Sequence, residues 1–297
     1  VNQIKLSALG LKDVFRDIGI LVKFKLSLMV VFSSVASYLI FAKGDFQWTV
    51  FSLLFVGGLF VTFAANALNQ GLERDYDKLM ERTANRPIAD GRMSLSMGVL
   101  ISGIFCTLGV IALAAISTAA AALGMFSFVL YAFVYTPLKR YSTLAVPVGA
   151  IPGALPTLIA GVAAQNGFTI EALCLFGIQY LWQFPHFWAI AWLGHKDYMA
   201  AGFKLVKENA GKPDPSYGLY SAVYSLVSIV FLLPGLIHGS IHLVILGLLV
   251  LTMIVYAWFG YRLYLNNDRN HARALMFCSI FYLPIVLILF IINNIVI

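Results

Sequence analysis

Long apolar runs separated by short polar segments dominate this chain. Nine of them reach the length a helix needs to cross a bilayer's hydrocarbon core, about 20 residues. They fall at roughly 20–41, 48–68, 95–117, 118–136, 146–164, 172–193, 216–237, 241–264 and 273–296. The stretch from Leu95 to Tyr135 carries no charge and is too long for one helix. It predicts a hairpin of two helices that turns between Ser117 and Gly124.

The polar segments between the runs are unequal in charge. With the N-terminus placed in the cytoplasm, the cytoplasmic segments carry Lys5, Lys12, Arg16, Lys23 and Lys25, then Arg74, Lys78, Arg82, Arg86 and Arg92. Lys139 and Arg140 follow span four, Lys196, Lys204, Lys207 and Lys212 follow span six, and Arg262, Arg269 and Arg273 follow span eight. Of the 20 basic residues only Lys43 falls on the other side. This is the asymmetry of the positive-inside rule. The predicted fold is therefore all-α, a polytopic membrane helix bundle of nine transmembrane helices with a cytoplasmic N-terminus. It is a single domain over 1–297, and 1–19 forms its cytoplasmic N-terminal segment.

Composition agrees. The chain is 61% hydrophobic and 11% charged, against about 45–50% and about 25% in soluble domains. A soluble enzyme, a disordered chain and a disulfide scaffold are excluded. Cys106, Cys174 and Cys278 lie in apolar runs without CxxC spacing and read as small core residues. Neither a small-residue cleavage site nor an Arg- and Ser-rich leader is evident, so the expected location is a bacterial inner membrane.

Eleven of the 13 acidic residues share the basic side, and five crowd the segment after span two: Glu73, Asp75, Asp77, Glu81 and Asp90. If the helix continues to about Thr83, Asn69, Glu73 and Asp77 form a row at four-residue spacing below Asn66, and Asp75 projects to the other side. Arg82 and Arg86 make another such step before Pro87. Carboxylates and guanidinium groups together suit a metal-bound anion. Mg²⁺ is usually held by one or two carboxylates plus substrate phosphates, and arginines take the remaining phosphate oxygens. The row reads as a site for a Mg²⁺–diphosphate; a solvated juxtamembrane helix is the alternative. Because the row emerges directly from an apolar span, an interior cavity is favoured.

Two further cytoplasmic clusters add candidates. After span six, Lys196 and Asp197 could neutralise phosphate and hold a second Mg²⁺, or form a solvated pair. His186, beside Pro185 among aromatics, is a binding residue or a hydrogen-bonded structural one. After span four, Lys139 and Arg140 bind phosphate or carboxylate, or anchor topology. Pro147, Pro152, Pro156, Gly149, Gly153 and Gly161 follow and read as packing and kink residues. His238 and His242 lack a third ligand and read as interfacial.

These segments resemble the UbiA superfamily of intramembrane prenyltransferases, from about Val22 to Ile292. The motif Asn-x-x-x-Asp-x-x-x-Asp appears as Asn69, Glu73 and Asp77, and its continuation as Met80, Arg82, Thr83, Arg86 and Pro87. Trp182, Gln183, Pro185 and His186, then Lys196, Asp197, Tyr198 and Ala201, are similar to the heme-farnesylating branch. Tyr135, Thr136, Leu138, Lys139 and Arg140 are similar to the same branch. Glu73 stands where the family has Asp. The second Asp-x-x-x-Asp of quinone-type members is reduced to Asp197, and Phe203–Val206 replaces an Ile-Pro-x-Leu-Pro-like run.

The resemblance implies farnesyl diphosphate and protoheme IX as substrates within the lipid bilayer, with Mg²⁺ on Asn69, Glu73, Asp77 and Asp197. Arg82, Arg86, Lys139, Arg140 and Lys196 would stabilise the departing diphosphate, and Tyr131, Tyr135, Tyr180 and Trp188 would face the allylic cation. It also suggests a heme A synthase as partner, although no residue points to one. No nucleic-acid partner is expected. A quinone-precursor prenyltransferase, a transporter with charges at the midplane and a non-catalytic heme binder are the competing readings.

Overall fold

Each long apolar run folds as helix, and the polar segments form the turns. The structure is a computed structural model that describes residues 10–209 and 211–296. Lys5, one of the N-terminal cations counted above, lies outside the described residues.

The chain begins with α1 (Leu11–Leu21), α2 (Phe24–Ala42), α3 (Trp48–Leu72) and the short α4 (Arg74–Asp77). A looped segment leads to the hairpin of α5 (Leu95–Ala114) and α6 (Thr118–Val129), where Ser117 caps α6 by accepting the Ala120 N–H. Helix α6 runs on through a π-helical turn, Leu130–Tyr135, into α7 (Thr136–Leu138). Next come α8 (Ala145–Gln165), α9 (Ile170–Leu193), α10 (His195–Ala200) and a two-residue hairpin, β1 (Glu208–Asn209) with β2 (Lys212–Pro213). Helix α11 (Ser216–Val227) continues through a 3₁₀ turn into α12 (Leu233–Ile237), and α13 (Leu243–Asn266) and α14 (Arg269–Val296) close the bundle.

Eight helical stretches among the described residues are long and apolar enough to cross a membrane, and each matches an expected span. The expected span 172–193 is α9. It has the length, at 24 residues, but Gln179, Gln183 and His186 make it less apolar than the others. Their polarity is spent inside the bundle. Gln179 donates to the Gly153 carbonyl and Gln183 to the Ala150 carbonyl, each at 2.8 Å. In the same helix α8, Pro156 lacks an N–H and leaves the Pro152 carbonyl free, and Ser127 donates to it at 3.3 Å.

The first expected span also divides. Helix α1 is separate and amphipathic, and α2 starts only at Phe24, after a break in which Lys23 takes a left-handed φ of 47°. Asn66 and Gln70 of α3 hold this break together. Asn66 donates to the Ser27 hydroxyl at 3.0 Å, and Gln70 donates to the carbonyls of Ile20 and Leu21 at 2.8 and 3.0 Å.

Packing inside the bundle relies on close backbone approach, since lipid tails are as apolar as the helix faces. Gly218 of α11 meets the backbone of α13: a Cβ there would lie 2.2 Å from the Tyr264 nitrogen. Gly247, on α13, has nothing within 4 Å. Gly218→Ala should therefore lower thermal stability in detergent by about 1–3 kcal/mol, the usual cost of overpacking. Gly247→Ala should be neutral or raise it by up to about 1 kcal/mol. Equal melting temperatures for the two variants would contradict this packing.

Candidate functional site

At the basic end of the bundle, α3 does not continue straight to Thr83. It ends at Leu72, Glu73 departs from helical geometry at φ −100° and ψ 5°, and α4 adds one turn. The chain from Lys78 to Met93 then folds back. Thr83 donates its hydroxyl to the Asp77 carbonyl at 2.9 Å, and Arg86 Nη1 donates to both Asp77 carboxylate oxygens at 2.8 Å. A straight helix would have carried Arg86 away from Asp77. The fold-back is needed because Asp77 is fully buried and Glu73 is 5% exposed, and buried carboxylates require cations.

A cavity of about 180 Å³ forms there. Eight of the sequence-predicted residues line it: Asn69, Glu73, Asp77, Arg82, Arg86, Tyr131, Tyr135 and Lys139. Glu73 pairs with Lys139, which is itself buried and lies 4.7 Å from the centre of the Tyr135 ring. Tyr131 and Tyr135, one helical turn apart with ring centroids 5.2 Å apart, form the deep wall. Gly149 of α8 makes room for Tyr135, since a Cβ there would fall 2.5 Å from its ring.

Of the other lining residues, Met80, Thr83 and Tyr198 appear in the sequence only as motif matches without a role, and Lys23, Leu26, Phe203 and Leu205 were not expected at the site. Lys23, read only as a topological cation, reaches Asn69 Oδ1 from the α1–α2 break at 3.1 Å. Tyr198, Phe203 and Leu205 close the cavity from the loop after span six, with Met80 beside them. Arg82 donates to the Tyr198 hydroxyl at 3.2 Å, and the Lys204 N–H donates to the Lys139 carbonyl at 2.6 Å. Phe203 and Leu205 belong to the stretch that departs from the family pattern. Their burial is the signal that an apolar pair in a basic loop could have given.

Six predicted residues do not line this cavity. Arg140 donates to the Tyr76 hydroxyl at 2.6 Å and stacks over its ring. Lys196 is exposed and Asp197 half-buried. Tyr180 and Trp188 belong to an aromatic cluster with Phe184, Tyr217 and Tyr224. His186 pairs with the Ser279 hydroxyl at 2.7 Å and stacks on Trp182. Asn66, at the head of the polar row, serves the α1–α2 break instead.

The electrostatics are those of an anion site. Four cations (Lys23, Arg82, Arg86 and Lys139) face two carboxylates. Burial pushes the Asp77 carboxyl above its ordinary range, against the opposing pull of Arg86. Burial, followed by the charge of Arg86, pulls Lys23 down to about 7. Among the described residues no three His, Cys, Asp or Glu side chains cluster as a metal centre. A divalent cation here would be bound by two carboxylates and an amide, with its remaining ligands from a bound anion, as Mg²⁺ commonly is. The all-oxygen donor set fits that hard cation. The cavity is smaller than the about 300–1,000 Å³ of whole-ligand pockets, so it suits a charged head group.

A charged Lys23 is disfavoured in the folded state only, so stability should rise as pH climbs from about 7 toward the ordinary lysine value, about 10.4. Lys23→Met removes this dependence. Its melting temperature should exceed that of the wild type by a few degrees at pH 6, and the gap should shrink toward pH 9. A gap independent of pH would contradict the lowered pKa of Lys23.

The UbiA prenyltransferase family model matches residues 30–281. The protoheme IX farnesyltransferase of Flavobacterium johnsoniae is 38% identical, with 97% of both chains covered. Among solved structures, a digeranylgeranylglyceryl phosphate synthase superposes with a TM-score of 0.78 at 15% identity, covering 95% of this chain and 99% of its own. A UbiA homologue from Archaeoglobus fulgidus bound to GPP and Mg²⁺ gives 0.68 at 14%, covering 94% and 98%.

Proposed function

The chain belongs to the UbiA prenyltransferase family, and from that premise we propose that it transfers a farnesyl group from farnesyl diphosphate to a vinyl group of protoheme IX. Water addition completes the product, heme O, and diphosphate leaves. The observation that carries this reading is the 38% identity over nearly the whole of both chains to a protein named for that reaction. The cavity supplies the chemistry.

Asn69, Glu73 and Asp77 would hold Mg²⁺ through the substrate's diphosphate. The metal, when bound, neutralises charge on the phosphate oxygens and makes diphosphate a better leaving group. The two carboxylates pair internally with Lys139 and Arg86. On substrate binding the partners exchange. The carboxylates would then be released to hold the metal, and Lys139 and Arg86, with Arg82 and Lys23, would turn to the phosphate oxygens. As the C1–O bond breaks, its electron pair leaves with the diphosphate, and these four cations stabilise the growing negative charge.

The allylic farnesyl cation left behind faces Tyr131 and Tyr135, each ring contributing about 0.5–2 kcal/mol when desolvated. Phe203, Leu205 and Met80 keep bulk water from it. The vinyl π electrons form the new bond to C1. Water then adds to the cation on the heme side and releases a proton, leaving a hydroxyethylfarnesyl group.

The cavity lies at the end of the bundle that carries the basic loops. We place that end in the cytoplasm of a bacterial inner membrane, with α9 as a ninth span and the N-terminus inside. The distribution of 19 of the 20 basic residues supports this orientation. The diphosphate then meets water, and the fifteen-carbon tail meets lipid.

The test is expression in a bacterium lacking its own heme O synthase, followed by chromatography and mass detection of extracted hemes. Wild type should yield a farnesylated heme. Asp77→Asn and Glu73→Gln should lower it at least 100-fold, and Glu73→Asp, the family's own residue, should retain product. A folded wild type that makes no new heme but prenylates an aromatic acid would overturn the heme assignment. Full product from Asp77→Asn would overturn the role of Asp77.

A further inference from the structure

Asn69 could present either its oxygen or its NH₂ to the cavity, and only the oxygen can bind a cation. The residues around it decide which. Protonated Lys23 Nζ, 3.1 Å from the carboxamide, has hydrogens only to give, so the atom facing it is the oxygen. The NH₂ therefore faces Thr136 and donates to its hydroxyl at 3.1 Å. The Tyr131 carbonyl, 2.9 Å from the Thr136 hydroxyl, can only accept, so it takes the one hydroxyl proton and leaves Thr136 to accept from Asn69 whatever the charge on Lys23. The chain of donors runs one way, from Lys23 through Asn69 and Thr136 to Tyr131.

The π-helical turn makes this possible. Over Leu130–Tyr135 the backbone bonds span five residues, so the Thr136 N–H and hydroxyl both reach the Tyr131 carbonyl. Thr136 is buried at 2% exposure against α3. It touches neither the cavity nor, on the proposed reading, any substrate.

We propose that Thr136 is a positioning residue, which fixes the Asn69 carboxamide with its oxygen toward the cavity where it can ligate the metal of the bound diphosphate. The proposal rests on the Mg²⁺–diphosphate reading above. Thr136→Val keeps the shape but removes the acceptor, leaving the NH₂ without its partner and the amide free to rotate. Thr136→Ser keeps the acceptor.

The test is calorimetric titration of the purified full chain with farnesyl thiodiphosphate, with and without Mg²⁺. Wild type should bind more tightly with Mg²⁺. Thr136→Val should weaken the Mg²⁺-supported affinity by about tenfold, the effect of one lost hydrogen bond. Its metal-free affinity, set by the four cations, should stay unchanged, and Thr136→Ser should restore the Mg²⁺ effect. Wild-type affinity in Thr136→Val overturns the proposal, as does an equal loss with and without Mg²⁺ or a serine variant that behaves as valine does. A wild type indifferent to Mg²⁺ overturns the metal reading itself, and this proposal with it.

Discussion

Two buried carboxylates, each held by a cation from another part of the chain, organise this end of the bundle. Asp77 has no exposed surface, and its oxygens are satisfied by Arg86. Glu73 is nearly as buried and is held by Lys139. Removing one partner of a buried pair typically costs about 3–5 kcal/mol, a large share of the stability of an ordinary domain. The local fold obeys that constraint. Helix α3 stops so that the following loop can turn back with Arg86. The π-helical end of α6 brings Lys139 under the loop that carries Phe203, and α2 starts late so that Lys23 can enter. The same charges that pair within the site are those a metal-bound diphosphate would need, so on the proposed reading the internal pairs and the bound substrate compete for one set of groups.

This competition has a physical use in a membrane enzyme. An uncompensated cluster of four cations and two carboxylates at a helix end would draw in water and adventitious ions. Paired internally, it stays compact, with aromatic rings against the cations: Tyr135 and Phe203 at Lys139, and Tyr198 at Arg82. Those rings also form the boundary between the charged head of the cavity and its apolar surroundings. One aromatic wall can therefore serve the ion pairs at rest and an allylic cation during reaction.

Much of this was legible in the sequence, because hydrophobic run length and four-residue spacing are local properties. Eight of the nine expected spans coincide within a few residues with helices long and apolar enough to cross a membrane, and Asn69, Glu73, Asp77, Arg82, Arg86, Tyr131, Tyr135 and Lys139 do line one cavity. What escaped depends on distant pairing. Lys23 meets Asn69 across 46 positions, and Tyr198 meets Arg82 across 116; no periodicity encodes either contact. The straight helix to Thr83 was the natural continuation of a polar row, yet it ignored the cost of burying Asp77 without Arg86. Motif membership also proved different from position: His186 and Trp188 sit in the expected helix but turn to Ser279 and to Tyr217, away from the cavity.

The exchange of partners is the claim on which this account stands, and a structure of the full chain bound to farnesyl thiodiphosphate and Mg²⁺ tests it most directly. The quantity to measure is the separation of Arg86 from Asp77, 2.8 Å when the two are paired. The account predicts that this contact opens beyond hydrogen-bonding distance, with Arg86 and Lys139 on phosphate oxygens and Asp77 turned to the metal. A diphosphate bound with both ion pairs intact would contradict it.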